Sequence, residues 1–273
     1  MVKVTERSRH ASEIARQALA DGYELIVAVG GDGTMNEVAT TLVDTDAIFG
    51  LVPCGSGDGL GRHLGIHGST ARALEILVSG RSHRIDTGMA NGHPFFTAAG
   101  IGFEAEIAQR FNQLHRRGFA RYLSTSAKAF RQSRPLSCTI STSLGSEQVN
   151  AFTLTATNAN QYGNNARIAP DALVDDGLID LCTVPPVGFW NAMPLAIHLF
   201  HGTIGRVSGV CIRRGNHFVV DRLSPGLLHT DGEVHEAGPR IVFTVRPSSL
   251  RIMVPIARDA REVAGRRGAS GGK

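Results

Sequence analysis

The stretch L-I-V-A-V-G-G-D-G-T-M-N-E-V, residues 25–38, decides how this chain is to be read. Leu25 to Val29 is a continuous apolar run of strand length and reads as a fully buried strand. Gly30-Gly31-Asp32-Gly33-Thr34 then turns the chain tightly. Thr34-Met35-Asn36-Glu37 fits a capping box, with Thr34 as N-cap and Glu37 at N3, which predicts a helix over Met35 to Val43. The first N–H groups of a helix have no partner inside it, so a strand, a glycine turn and a helix N-terminus suit an anion. Glycines let that backbone approach a phosphate closely and take positive φ. Asp32 would repel a phosphate unless a cation stands between, which makes a nucleotide with Mg²⁺ the natural ligand. An ordinary glycine-rich strand–helix turn is the competing reading at this point.

Outward from that stretch, helix and strand alternate. Ala11, Ile14, Ala15, Ala18 and Leu19 fall at helical spacing, and Gly22 ends that helix. A second strand, Ala47 to Pro53, leads into another glycine loop, Gly55-Ser56-Gly57-Asp58-Gly59-Leu60-Gly61. Ser69 caps a helix through Val78, closed by Gly80. Strands alternating with helices imply a parallel sheet, whose ligands bind at the carboxyl ends of strands. Both glycine loops stand at such ends. Asp58 can orient Mg²⁺ or a ribose hydroxyl there, or can simply be a turn residue.

After Asp86 the pattern changes. Phe95 to Ala99 reads as a strand and Glu104 to Arg131 as a helical stretch. From Leu136 short β-like runs dominate: Ser137–Ser143, Phe152–Thr157, Ile179–Val184, Val207–Ile212, His217–Val220, Ile241–Val245 and Leu250–Val254. Turns such as Asp176-Gly177, Gly215-Asn216 and Asp231-Gly232 separate them, the pattern of a β-sandwich. Taken alone, Asp231-Gly232-Glu233 is a hairpin turn of type I′. The expected organisation is an α/β parallel-sheet nucleotide domain over residues 1–87, with 256–273 returning to it. An antiparallel β-sandwich follows over 88–255.

At 273 residues and 42% hydrophobic the chain can bury a large core. A net charge of +4 is compatible with acidic ligands or an anionic membrane surface, and does not suggest a dedicated nucleic-acid binder. Cys54, Cys138, Cys182 and Cys211 form no C-x-x-C pair, which argues for free thiols in a reducing cytosol. Met1 to Arg7 is charged without an apolar core, and no stretch approaches a membrane span. A cytoplasmic protein is expected, with any membrane contact peripheral at the inner face. The basic residues Arg110, Arg116, Arg117, Arg121, Lys128 and Arg131 form either a solvated face or a membrane-facing one.

Other phosphate motifs fail. Gly100 to Ala105 matches G-x-G-x-x-A but lacks the acid about 20 residues on. No G-x-x-x-x-G-K-[ST] and no protein-kinase set occurs. His198 and His201 stand i, i+3 without a third metal ligand.

Several stretches taken in order resemble the bacterial diacylglycerol kinase-like lipid kinases, relatives of the sphingosine kinases. They are V-A-V-G-G-D-G-T-M-N-E-V (27–38), L-V-P-C-G-S-G-D-G-L-G-R-H-L-G-I (51–66), R-I-D-T-G (84–88), A-A-G-I-G-F-E-A-E (98–106), I-A-P-D-A-L-V-D-D-G-L-I-D (168–180) and T-D-G-E (230–233). The resemblance implies transfer of the γ-phosphate of ATP to a hydroxyl of a membrane lipid, with the active site between two domains. It implies ATP binding by Gly30, Gly31, Asp32, Gly33, Thr34, Met35, Asn36 and Glu37, by Gly55, Ser56, Gly57 and Asp58, and by Thr5. Asp231 and Glu233 fall on the family's D-G-E, whose carboxylates deprotonate the lipid hydroxyl. Mg²⁺ at Asp32 would neutralise the phosphates. A structural Mg²⁺ is implied on the Asp176 side chain and the carbonyls of Leu173 and Leu178.

Two departures stand out. Asp58 replaces the family's Asn, an added negative charge that should weaken ATP binding unless it joins the Mg²⁺ shell. The family also places a strand and an N-P-x-S-G loop ahead of the position matched by Thr5. The expected sheet therefore lacks its first βα unit and exposes an apolar edge. A non-catalytic nucleotide- or lipid-binding homologue is the alternative from another class. NAD kinase, which shares G-G-D-G-T, is the second enzyme reading, although its T-P-T-G-S-T-A-Y segment is absent here.

Overall fold

In the computed structural model, residues 1–55, 57–112, 129–130 and 133–256 are described. The chain forms two units, Met1–Ile85 with the segment that begins at Ser249, and Asp86–Ser248. In the first, β1 (Leu25–Gly30) and β2 (Ile48–Pro53) pair in parallel, in register from Leu25 opposite Ile48 to Gly30 opposite Pro53. Arg251 and Ile252 of the last strand add in parallel to β2 at Ile48 and Phe49. Helix α1 (His10–Ala20) packs on α2 (Asp32–Leu42), which packs on both strands, while α4 (Thr70–Ser79) packs on β2. The Ser69 hydroxyl accepts from the Arg72 N–H at 3.1 Å and Gly80 closes α4, as the sequence predicts.

Two expectations for this unit change. Strand β1 is buried on one face only: Ile26 and Ala28 are covered, whereas Leu25, Val27 and Val29 are exposed. The reason is position, since β1 is the edge of its sheet. Helix α2 begins at Asp32 and ends at Leu42, with Gly31 rather than Thr34 as N-cap. Glu37 does not reach back to Thr34. Its carboxylate accepts the N–H groups of Arg9 (2.9 Å) and Ala11 (3.0 Å), capping α1 from a neighbouring helix. A short helix the sequence reading missed, α3 (Gly59–His63), grows out of the second glycine loop.

The second unit is a pair of sheets. One is antiparallel throughout, in the order β10-β9-β8-β5-β12-β13. Its strands are β5 (Ala98–Gly102), β8 (Thr153–Thr157), β9 (Ile179–Val184), β10 (Cys211–Gly215), β12 (Gly226–Thr230) and β13 (Glu233–Ala237). The other places β11 (His217–Arg222) between β6 (Leu136–Thr142) and the first part of β14 (Arg240–Val254), with β7 (Gly145–Ala151) beyond β6. Strand β3 (Arg81–Ala90) turns back into β4 (His93–Phe95). Ile101, Leu154 and Leu181 of one sheet meet Ile140, Val220 and Phe243 of the other in a single core.

Here too the strands shift. The run expected over Phe95–Ala99 breaks into β4 and β5, because the Phe96 and Thr97 N–H groups bond to a side chain instead of a strand. The runs at 241–245 and 250–254 are one strand, β14. The run expected at Val207–Ile212 starts only at Cys211, and the described part of the helical stretch after Glu104 opens with α5 (Phe103–Asn112). Arg116, Arg117, Arg121, Lys128 and Arg131 lie outside the described residues, as do residues 257–273. Helix α6 (Phe189–His201) was not foreseen. All four cysteines are free, Cys138 and Cys182 buried, Cys54 and Cys211 exposed.

Candidate active site

The two glycine loops of the first unit meet. Gly30, Gly31, Asp32 and Met35 from the first line one cavity with Leu51, Pro53, Gly55 and Asp58 from the second. A Cβ on Gly55 would sit 2.9 Å from the Gly31 Cα, and one on Gly57 would sit 2.5 Å from Asp32 Oδ2. The loops therefore abut as closely as backbone allows, and only glycine permits it. Asp32 Oδ1 accepts the Asp58 N–H at 3.0 Å, tying the second loop to the first. Asp32 also opens α2, where its charge suits the positive end of the helix dipole. The Gly33 and Thr34 N–H groups belong to the same first turn, which has no intrahelical acceptors for them.

Asp58 is 9% exposed, in a left-handed conformation at φ 48°, beside Asp32. Burial, and then the charge of Asp32, push its carboxyl up to about 6, against a smaller opposing pull from Arg62 and the Gly61 backbone. A carboxyl part-protonated near neutrality comes closer to the neutral amide that the resemblance leads one to expect there. Of the other candidate nucleotide residues, Asn36 accepts from the Thr40 hydroxyl, Glu37 caps α1, and Thr5 lies in the irregular first residues. Thr34 packs its side chain over Gly30. Ser56 lies outside the described residues.

In the second unit, Asp231 and Gly232 form the two-residue turn between β12 and β13. Both take positive φ, 49° and 87°, the type I′ geometry expected of Asp-Gly. The Asp231 carboxylate points back into the fold. Its Oδ2 accepts the Phe96 N–H at 2.7 Å, and its Oδ1 accepts the N–H groups of Thr97 (2.9 Å) and Ala98 (3.0 Å) and the Thr97 hydroxyl. Four donors match the lone-pair capacity of a carboxylate. Glu233, by contrast, is exposed at the start of β13. Asn112 of α5 donates to the Gly232 carbonyl at 2.9 Å and steadies the tip.

Two family profiles divide the chain. The diacylglycerol kinase catalytic domain matches residues 1–90, and the YegS C-terminal NAD kinase beta sandwich-like domain matches 97–254. A Pseudomonas fluorescens protein named "Probable lipid kinase YegS-like" is 30% identical over 268 residues, covering 93% of this chain and 85% of that protein. The chain belongs to the YegS-like lipid kinase family. It is a kinase, and the family's use of ATP comes with that. A relative of the same name from Pseudomonas aeruginosa is 30% identical over 259 residues, covering 93% of this chain and 84% of that one. Among solved structures, a diacylglycerol kinase from Bacillus anthracis superposes with a TM-score of 0.70 at 17% identity, covering 93% of this chain and 84% of that chain. An NAD kinase from Archaeoglobus fulgidus solved with ATP gives 0.51 at 12% identity, covering 98% and 97%. Such identities speak to fold alone, an α/β unit followed by a β-sandwich.

Two further features of this family member bear on the site. The first is the turn expected to carry a structural Mg²⁺. Asp176 Oδ1 accepts the Leu178 N–H at 3.0 Å, and Oδ2 stands 3.8 Å from the Arg214 guanidinium. Arg214 also pairs with Asp180 and donates to the Asp171 carbonyl. The turn is held from below by Asp86, 1% exposed, which accepts the Gly177 and Ser248 N–H groups, each at 2.7 Å. The Arg214 guanidinium thus pairs with Asp180 and stands beside Asp176, next to the turn whose Leu173 and Leu178 carbonyls the resemblance assigns to a cation. The described residues hold no cluster of three acidic, His or Cys side chains that could bind one.

The second feature is a buried polar group that the sequence reading passed over. Glu104 accepts from the hydroxyls of Thr155 (2.7 Å) and Tyr162, and its other oxygen lies 3.2 Å from His229 Nε2. Burial, and then the Glu104 charge, hold the Tyr162 phenol well above its ordinary value. His229 lies on β12, two residues before Asp231, so this group fixes the strand that carries the hairpin. Its only sequence signal was the Glu within A-A-G-I-G-F-E-A-E.

Proposed function

We propose that this kinase transfers the γ-phosphate of ATP to a hydroxyl of a membrane lipid of diacylglycerol or sphingoid type. The observation that carries the nucleotide part is the meeting of the two glycine loops at the N-terminus of α2. There a phosphate can lie against first-turn N–H groups, beside the Asp32 carboxylate. Asp32 is the residue in that cavity suited to face a phosphate-bound Mg²⁺, which would offset charge on the transferring group. On the acceptor side, the D-G-E hairpin supplies the carboxylates. Glu233 is the open one, suited to accept the hydroxyl proton, and Asp231 positions the hairpin through its four donors.

Transfer of radiolabelled phosphate from ATP to a panel of lipids tests this reading. Label in a glycerolipid or sphingoid base is the expected result. ATP binding with no transfer to any lipid would make the chain a nucleotide-binding homologue instead. Glu233→Gln should lower turnover by roughly 10²–10⁴-fold with an unchanged melting temperature. Asp231→Asn should lower both, because an amide turned toward backbone N–H groups costs about 2–4 kcal/mol of stability.

A further inference from the structure

Helix α6 is apolar on two opposite faces. One face packs Leu195 and Leu199 against Ile168, Cys182, Val184 and Ile204. On the other, Trp190, Met193, Ile197 and Phe200 stand at i, i+3, i+7 and i+10, within an arc of about 80°. They are 86%, 69%, 51% and 40% exposed. Large apolar side chains contiguous on one exposed face mark a surface that something covers.

Charge selects the occupant. Residues 189–201 carry no Asp, Glu, Lys or Arg, and no acidic residue occurs from Leu181 to Val220, in a chain that has 24 of them. Basic groups border the stripe: His198 and His201 in the last turn of α6, and Arg206 exposed just beyond. A second copy of the chain would not require an acid-free stretch this long. An anionic lipid surface would, because carboxylates are repelled there and cations are drawn in. Trp and Phe are also the side chains that settle at the headgroup level. Thirteen residues rise only about 20 Å, and no helix among the described residues is long and apolar enough to cross a membrane.

We propose that α6 lies flat in the headgroup–acyl boundary of an anionic membrane, burying Trp190, Met193, Ile197 and Phe200. The inference rests on the reading that the acceptor is a membrane lipid, and adds the surface by which the protein reaches it.

Trp190 is the chain's single tryptophan, so its emission reports on this helix alone. The full chain is titrated with vesicles of phosphatidylcholine, alone or mixed with phosphatidylglycerol. The expected result is a blue shift, with quenching by lipids brominated on their acyl chains, strong only when phosphatidylglycerol is present. Met193→Glu with Ile197→Glu should weaken vesicle co-sedimentation roughly tenfold or more. The same variant should keep the native melting temperature and its activity on a short-chain acceptor in detergent. Quenching in the native chain needs no variant, so a misfolded double mutant leaves the test intact. Co-sedimentation without any change in Trp190 emission would overturn the proposal. So would a blue shift that grows with protein concentration in the absence of vesicles, the mark of a second copy on this face. The emission test stands whether or not any lipid is phosphorylated, which separates its failure from failure of the kinase assignment.

Discussion

Asp58 works against its own charge. With a folded-state value of about 6, raised from 3.8, the carboxyl holds a proton in the folded chain that the unfolded chain releases. Below about pH 4 both states are protonated and the residue is neutral to stability. As pH rises from about 4 through 6, stability is lost, and above that the penalty is on the order of 2–3 kcal/mol. Asp58→Asn should therefore raise the melting temperature by several degrees near pH 8 and leave it almost unchanged near pH 4. ATP affinity near pH 8, measured by calorimetry, should rise with it, since one repulsive charge leaves the cavity. Equal effects at both pH values would contradict this account. At the same scale, the sequence made the glycine loops plain, because Gly55, Gly57 and Gly61 each answer a close approach. It could not disclose that Asp231 is saturated, since the donors stand 133 to 135 residues earlier in the chain.

Among the secondary-structure elements, what was legible depended on whether the deciding contact was local. Ser69 caps α4 through a hydrogen bond three residues away, and the sequence showed it. Thr34 and Glu37 have the spacing of the same device, yet Glu37 serves α1, 26 and 28 residues upstream. Helix α1 has no cap of its own, as Arg9 at its N-cap makes no side-chain bond and takes φ 64°. Glu37→Ala should thus cost about 1–2 kcal/mol in urea unfolding. The loss should appear first as faster amide exchange in α1, rather than in α2 where the residue lies. Helix α6 escaped notice for another reason. Apolar on both faces, it shows no 3.6-residue alternation, and a short apolar run without period cannot be told from a strand. Strand β14 looked like two strands because Pro247-Ser248-Ser249 resembles a turn. Ser248 does take φ 51°, but Asp86 accepts its N–H and the strand continues.

For the whole molecule, alternating strands and helices followed by many short strands were enough to anticipate an α/β unit and a β-sandwich. The sequence did not show that β14 serves both, pairing with β11 over residues 240–244 and with β2 at Arg251 and Ile252. A fragment of residues 1–85 lacks that third strand and should show no cooperative thermal transition by circular dichroism. Joined through a flexible linker to residues 249–256, it should regain one. The shared strand also sets an order of events during translation. The nucleotide-binding half is made first but cannot close its sheet until the entire sandwich has left the ribosome. At roughly 5–20 residues per second that is a delay on the order of ten seconds, with the β2 edge that β14 will cover at Ile48 and Phe49 open throughout. The half that is made first is thus the last to complete its sheet.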